Sequence, residues 1–154
     1  MKLEIKKIKS FKGHDGQPGV SGDLYFDGKF VAHALDDAWG GGFQFDYEPK
    51  HEATMEVLYE YGRKKYPEFA KTGGASDIIL SELLDKIEQH KWLKRNAKKK
   101  TLFTLPTDEA DQYRTIKHVY DEKVKAHIKT KHPNATILND QVKAVTPYLT
   151  VERG

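Results

Sequence analysis

The chain has 154 residues, the length of one domain rather than two, and enough to bury a core without covalent staples. It contains no cysteine, which excludes disulfides, thiolate metal sites and a cysteine nucleophile. A formal net charge of +3, from 26 basic and 23 acidic residues, is too balanced to imply a nucleic-acid partner by itself.

The opening MKLEIKKIKS has no apolar run of the kind a secretory signal needs. No stretch approaches the roughly 20 apolar residues that cross a bilayer. The expectation is a soluble, cytoplasmic chain with no membrane partner. Its pattern predicts a single α+β domain over 1–154. Residues 1–48 form an antiparallel β-meander, and 49–154 a helical region with three helices, short strands and a small C-terminal hairpin or strand element.

LEIKKIKSF is the first strand, and the change from odd to even apolar spacing predicts a bulge near Lys6–Lys7. HDGQPG is a loop rich in turn residues. VSGDLYF and KFVAHAL flank Asp27-Gly28, the two-residue chemistry of a type I′ hairpin. That turn pairs Phe26 with Lys29, Tyr25 with Phe30 and Leu24 with Val31. Alternation then puts Val20, Leu24, Val31, His33 and Leu35 on the core face, with His33 opposite Gly22. Tyr25, Phe30, Ala32 and Ala34 take the other face. FQFDY, with Phe43, Phe45 and Tyr47 on one side, reads as a fourth strand.

Residues 50–66 read as a helix packing through Met55, Leu58, Tyr59 and Gly62, with Pro67 beyond it. After the KTGGAS linker, Ser76 is an N-cap candidate. Ile79, Leu80, Leu83, Leu84 and Ile87 recur at helical spacing, in a helix that ends among lysines before the short strand TLFTL. PTDEADQ is a loop and YRTIK a returning strand, with a helix running straight on from Asp108 as the competing reading. Asp121 caps a helix through Val124 and Ile128, stapled by Tyr120. ATIL and PYLTV are short strand candidates.

Three groups of residues carry candidate chemistry. Asp36, Asp37, Trp39, Gly40, Gly41 and Gly42 form the first. Glycines let a backbone approach a ligand, paired carboxylates suit a hard cation, and an aromatic beside them can stack on a ring. The bland alternative is a wide bend with Trp39 over the core edge. The second is Trp92, Lys94, Arg95, Lys98, Lys99 and Lys100, where clustered cations and an aromatic suit nucleic acid. Cations also complement a helix C-terminus without any ligand. The third is His14, His33 and Asp37, a metal or acid–base set if the fold brings them together, although the leading reading of His33 is a core histidine satisfied by one hydrogen bond. His118, His127 and His132 lack ligand spacing and read as surface residues. No catalytic signature is present, and no cofactor is implied.

Three segments, LYFDGKFVAHALDDAWGGG, LLDKIEQHKWLKRNAKKKTLF and VYDEKVKAHIKTKHPNATILND, make the chain resemble small orphan proteins of tailed bacteriophages and prophages. That group has no assigned activity, so the resemblance transfers no functional residue. It implies a phage accessory gene acting in the host bacterial cytoplasm, of the kind that binds a host macromolecule or disables a defence system. The leading expectation is such a binding protein, non-enzymatic, recognising a host protein, nucleic acid or nucleotide signal through the Trp39 loop and its hairpin. The alternatives are nucleic-acid binding through residues 90–100 and a metal-dependent hydrolase or nuclease using Asp36 and Asp37.

Overall fold

The computed structural model describes residues 1–142 and 146–153, with the backbone alone of His14. The architecture is α+β. The chain divides into two compact units, residues 1–86 with 147–154 and residues 87–146, and the division falls inside a helix.

The first unit holds strands β1 (Lys2–Lys12), β2 (Pro18–Phe26), β3 (Lys29–Asp36) and β4 (Gln44–Asp46). They form an antiparallel sheet in the order β4-β3-β2-β1-β8, where β8 is Leu149–Thr150. Asp27 and Gly28 both have positive φ, 49° and 80°, as a type I′ turn requires. The turn is tied to β1, because Lys2 N–H donates to Asp27 Oδ1 at 2.8 Å and Asp27 N–H to Lys2 O at 2.9 Å. The expected bulge is present: the β1–β2 register slips between Lys6 and Lys9, and Lys7 has φ 53°.

The hairpin register follows the turn for two pairs, Phe26 with Lys29 and Tyr25 with Phe30. It then departs from expectation. Leu24 pairs with Ala32, not Val31, because Val31 is an extra residue in β3. Every later side chain therefore changes face. Ala32 and Ala34 are buried with Leu24 and Phe26, whereas His33 lies opposite Asp23 and is exposed. The assignment of His33 to the core opposite Gly22 is thus corrected. Burying two alanines desolvates nothing polar, while burying the imidazole would require a partner inside. FQFDY shortens to the three residues of β4, leaving Phe43 in the approach.

Helix α1 (Glu52–Lys65) follows a 3₁₀ turn at Pro49–His51 and buries Met55, Val57, Leu58 and Gly62. Helix α2 (Ala75–Ala97) buries Ile79, Leu80 and Leu83 within this unit. Each fully buried aliphatic side chain contributes about 1.5–3 kcal/mol. Ser76 sits inside the first turn of α2 and donates from Oγ to Gly73 O at 3.4 Å, so it is not the N-cap. Ile78 N–H bonds Gly74 O, and the helix is entered directly from the glycine pair. Glu82 accepts from Lys65 Nζ at 2.8 Å and from the Tyr66 hydroxyl, fastening the end of α1 to α2.

The second unit contains the last turns of α2, then β5 (Thr101–Thr104), β6 (Arg114–Ile116), α3 (Glu122–Lys131), β7 (Thr136–Ile137) and a short α4 (Leu138–Gln141). Its sheet runs β6-β5-β7, antiparallel throughout. The core is Phe103, Val124, Ile128, Ala135 and Ile137, with Leu105, Ile116 and Tyr120 against it. YRTIK forms the returning strand rather than a helix running on from Asp108. Asp108 accepts from Leu105 N–H at 2.8 Å and receives the Arg114 guanidinium on both oxygens, which closes the intervening loop. The Arg114 guanidinium, seconded by the Leu105 N–H, holds the Asp108 carboxyl below the usual range. Asp121 Oδ1 accepts from Val124 N–H at 2.8 Å, the expected cap. ATIL and PYLTV yield β7 and β8, which join different sheets.

Candidate functional site

The Asp36–Gly42 segment leaves the end of β3 and projects as expected: Trp39 is 66% exposed, and Gly40 and Gly41 are exposed. Its carboxylates serve the turn. Asp36 Oδ1 accepts from Ala38 N–H at 2.9 Å, and Asp37 Oδ1 from Trp39 N–H at 3.0 Å. Gly42 has φ +72°, and a Cβ there would sit 2.1 Å from Asp77 Oδ2, so only glycine fits. Asp77 Oδ1 accepts from Phe43 N–H at 2.9 Å. Burial pushes the Asp77 carboxyl up, the Phe43 N–H pulls it back, and the charge of Asp36 pushes it up again. Beyond the loop, Phe43, Phe45, Tyr59 and Arg63 line part of a recess of about 290 Å³. Burial, then a hydrogen bond with Tyr47, pushes the Tyr59 phenol up to about 12.

The proposed metal set does not assemble among the described residues. His33 Nδ1 lies 2.8 Å from Asp23 Oδ1, and Lys7 Nζ lies 3.7 Å from the other oxygen of Asp23. Asp37 is roughly 13 Å of extended chain further on. The His14 side chain lies outside the described part. Among the described residues no group of three His, Asp or Glu side chains is placed to hold a metal ion.

The basic segment occupies the end of α2 and the turn after it. Trp92 is 37% exposed, and its ring stacks on Tyr113 with centroids 5.3 Å apart and 26° between planes. Lys94, Arg95, Lys98 and Lys99 are exposed and Lys100 is half-buried. Among the described residues none of these five has a carboxylate partner, whereas Lys91 pairs with Glu88 and Arg114 with Asp108.

Asn139, buried in α4, organises the backbone beneath these cations. Its Oδ1 accepts from Leu102 N–H at 2.7 Å, and its Nδ2 donates to Ala97 O at 3.3 Å and Lys100 O at 3.0 Å. Asn96 O accepts from the N–H groups of Lys99 and Lys100 at 3.0 and 3.1 Å. The Lys98–Lys100 turn is therefore held in one shape before any ligand arrives. Sequence reasoning missed Asn139, because ATILN read as the end of a strand.

Charge is divided unevenly between the units. Residues 87–146 hold 13 Lys and Arg against 7 Asp and Glu, a net +6; the remainder holds 13 against 16, a net −3. The two cancel to the overall +3. The basic unit also contains the histidines first read as plain surface residues. His118 and His127 share the lining of a recess of about 360 Å³ with Ile116, Asp121, Lys123 and Val124. Comparison of the chain with protein-family models, with curated proteins and with solved structures finds no match.

Proposed function

We propose that the protein binds nucleic acid through residues 87–146. The observation that carries this reading is the set Lys94, Arg95, Lys98, Lys99 and Lys100: among the described residues these cations have no carboxylate partner, they lie at the end of α2 and on the following turn, which Asn139 holds, and their unit has a net charge of +6. Cations already neutralised by acids gain little from phosphates. Unpaired cations release condensed counterions when they meet a phosphate backbone, so affinity falls steeply with salt. A turn fixed in advance loses little entropy on binding. Trp92, just over a third exposed, adds an aromatic surface beside the cations.

The test is a fluorescence anisotropy titration with a labelled oligonucleotide at several NaCl concentrations. Log affinity should fall linearly with log salt, and K98E/K99E/K100E should lower the slope by about three. Binding that ignores both salt and the triple substitution overturns the proposal.

A second reading rests on the exposure of Trp39 at the tip of its loop and the aromatic recess behind it. The loop would engage a host protein or a small aromatic signal, in keeping with the resemblance to phage proteins and their bacterial setting. With Trp92 replaced by Phe, Trp39 is the only tryptophan, and its emission should shift when that ligand is added. An unchanged spectrum during demonstrated binding removes this reading.

A further inference from the structure

We infer that the recess between β6 and α3 seats an unpaired nucleobase, which makes the protein selective for single strands; the inference rests on the nucleic-acid reading above. Ile116 and Val124 supply an apolar floor, His118 and His127 supply planar rings, and Lys123 is exposed at the rim. At about 360 Å³ the recess falls in the range of roughly 300–1,000 Å³ typical of small-ligand sites. His127 also lines a second recess of about 170 Å³ with Lys131 and His132, whose ring stacks on Phe103 at 5.9 Å.

The recess adjoins the basic turn. Thr101 follows Lys100 directly, pairs with Ile116 across the sheet, and donates from Oγ1 to His118 O at 2.9 Å. A backbone lying on Lys98–Lys100 therefore passes the His118 wall. Asp121, the acid of the lining, already holds Val124 N–H and repels phosphate from the interior. Phosphates are left to the lysines, and the neutral base to the floor and rings. A base inside a duplex has both faces stacked and cannot enter such a recess. An unpaired base can leave its neighbours and stack on a planar side chain, histidine included.

The experiment measures the full-length protein by anisotropy at one salt concentration. The probes are a short single strand of mixed sequence, the same sequence as a duplex, and a strand of equal length with abasic sites in place of bases. Wild type should bind the single strand about tenfold or more tighter than either the duplex or the abasic strand. His127→Ala, at an exposed position, should remove that preference and leave duplex binding and the salt slope unchanged. Equal wild-type affinity for the normal and abasic strands, or an unaltered preference in His127→Ala, overturns the inference while the nucleic-acid reading stands. Absence of binding to all three probes overturns both.

Discussion

Residues 1–86 with 147–154 and residues 87–146 differ in how they use their polar groups. In the first unit several acids are occupied: Asp36 and Asp37 hold their own turn, Asp77 holds Phe43 N–H, Asp23 meets His33 and Lys7, and Glu82 takes Lys65 and Tyr66. In the second unit Asp108, Asp121, Asp140 and Asn139 are likewise committed, while among the described residues Lys94, Arg95, Lys98, Lys99 and Lys100 have no carboxylate partner. Overall charge hides this, because a net −3 and a net +6 add to a small sum. A modest formal charge therefore says little about a polyanion partner until it is resolved by structural unit.

The sharpest way to break this contrast is charge reversal in the basic turn. K98E/K99E/K100E should weaken oligonucleotide binding at least about 100-fold at 0.1 M salt, read by anisotropy, with the thermal melt nearly unchanged. A core deletion in the first unit should do the opposite. Leu83→Ala, at a fully buried position, should cost about 2–5 kcal/mol in chemical denaturation and leave the salt slope of binding intact below the melt.

Asn139→Ala should affect both properties. It leaves Leu102 N–H and the carbonyls of Ala97 and Lys100 without their partner, at a cost of about 1–3 kcal/mol, and frees the basic turn. Denaturant midpoint and oligonucleotide affinity should fall together. Asp121→Ala removes the cap of α3 and should cost about 1 kcal/mol. The smallest effect is a pH effect. The raised Asp77 carboxyl means the folded state holds that proton more tightly than the unfolded chain, so this group favours folding at acid pH and its contribution fades as pH rises through its folded value. Asp77→Asn can still accept from Phe43 N–H and carries no charge to desolvate. Its melting temperature relative to wild type should therefore rise between pH 3 and pH 7.

Features with local causes were legible in the sequence. Asp27-Gly28 fixes its own turn through positive φ at both residues, and Asp121 caps the helix that begins beside it. The bulge at Val31 was not legible. KFVAHAL alternates equally well in either phase, and the phase is set by burying alanines in place of His33. Ser76 suggested a cap, yet the preceding glycines allowed the helix to start at Ala75, two residues before a cap at Ser76 would place it. Within the candidate site, the cations were visible as a run, but their lack of carboxylate partners among the described residues was not. Asn139 acts on residues 37 to 42 positions away, and no local pattern announces such bonds. His118 and His127 lie nine residues apart, outside any ligand motif, and line one recess because β6 returns beside β5 and α3 follows it. The basic tally of residues 87–146 was available in the sequence, but its boundary, inside a continuous helix, was not.

The most direct measurement is a ¹H–¹⁵N correlation spectrum of the labelled full-length protein, recorded as a short single-stranded oligonucleotide is added. The account predicts shifts concentrated at residues 92–101 and 114–131, with the Asp36–Phe45 amides unmoved. Shifts confined to Asp36–Phe45, or none at saturating oligonucleotide, would contradict it.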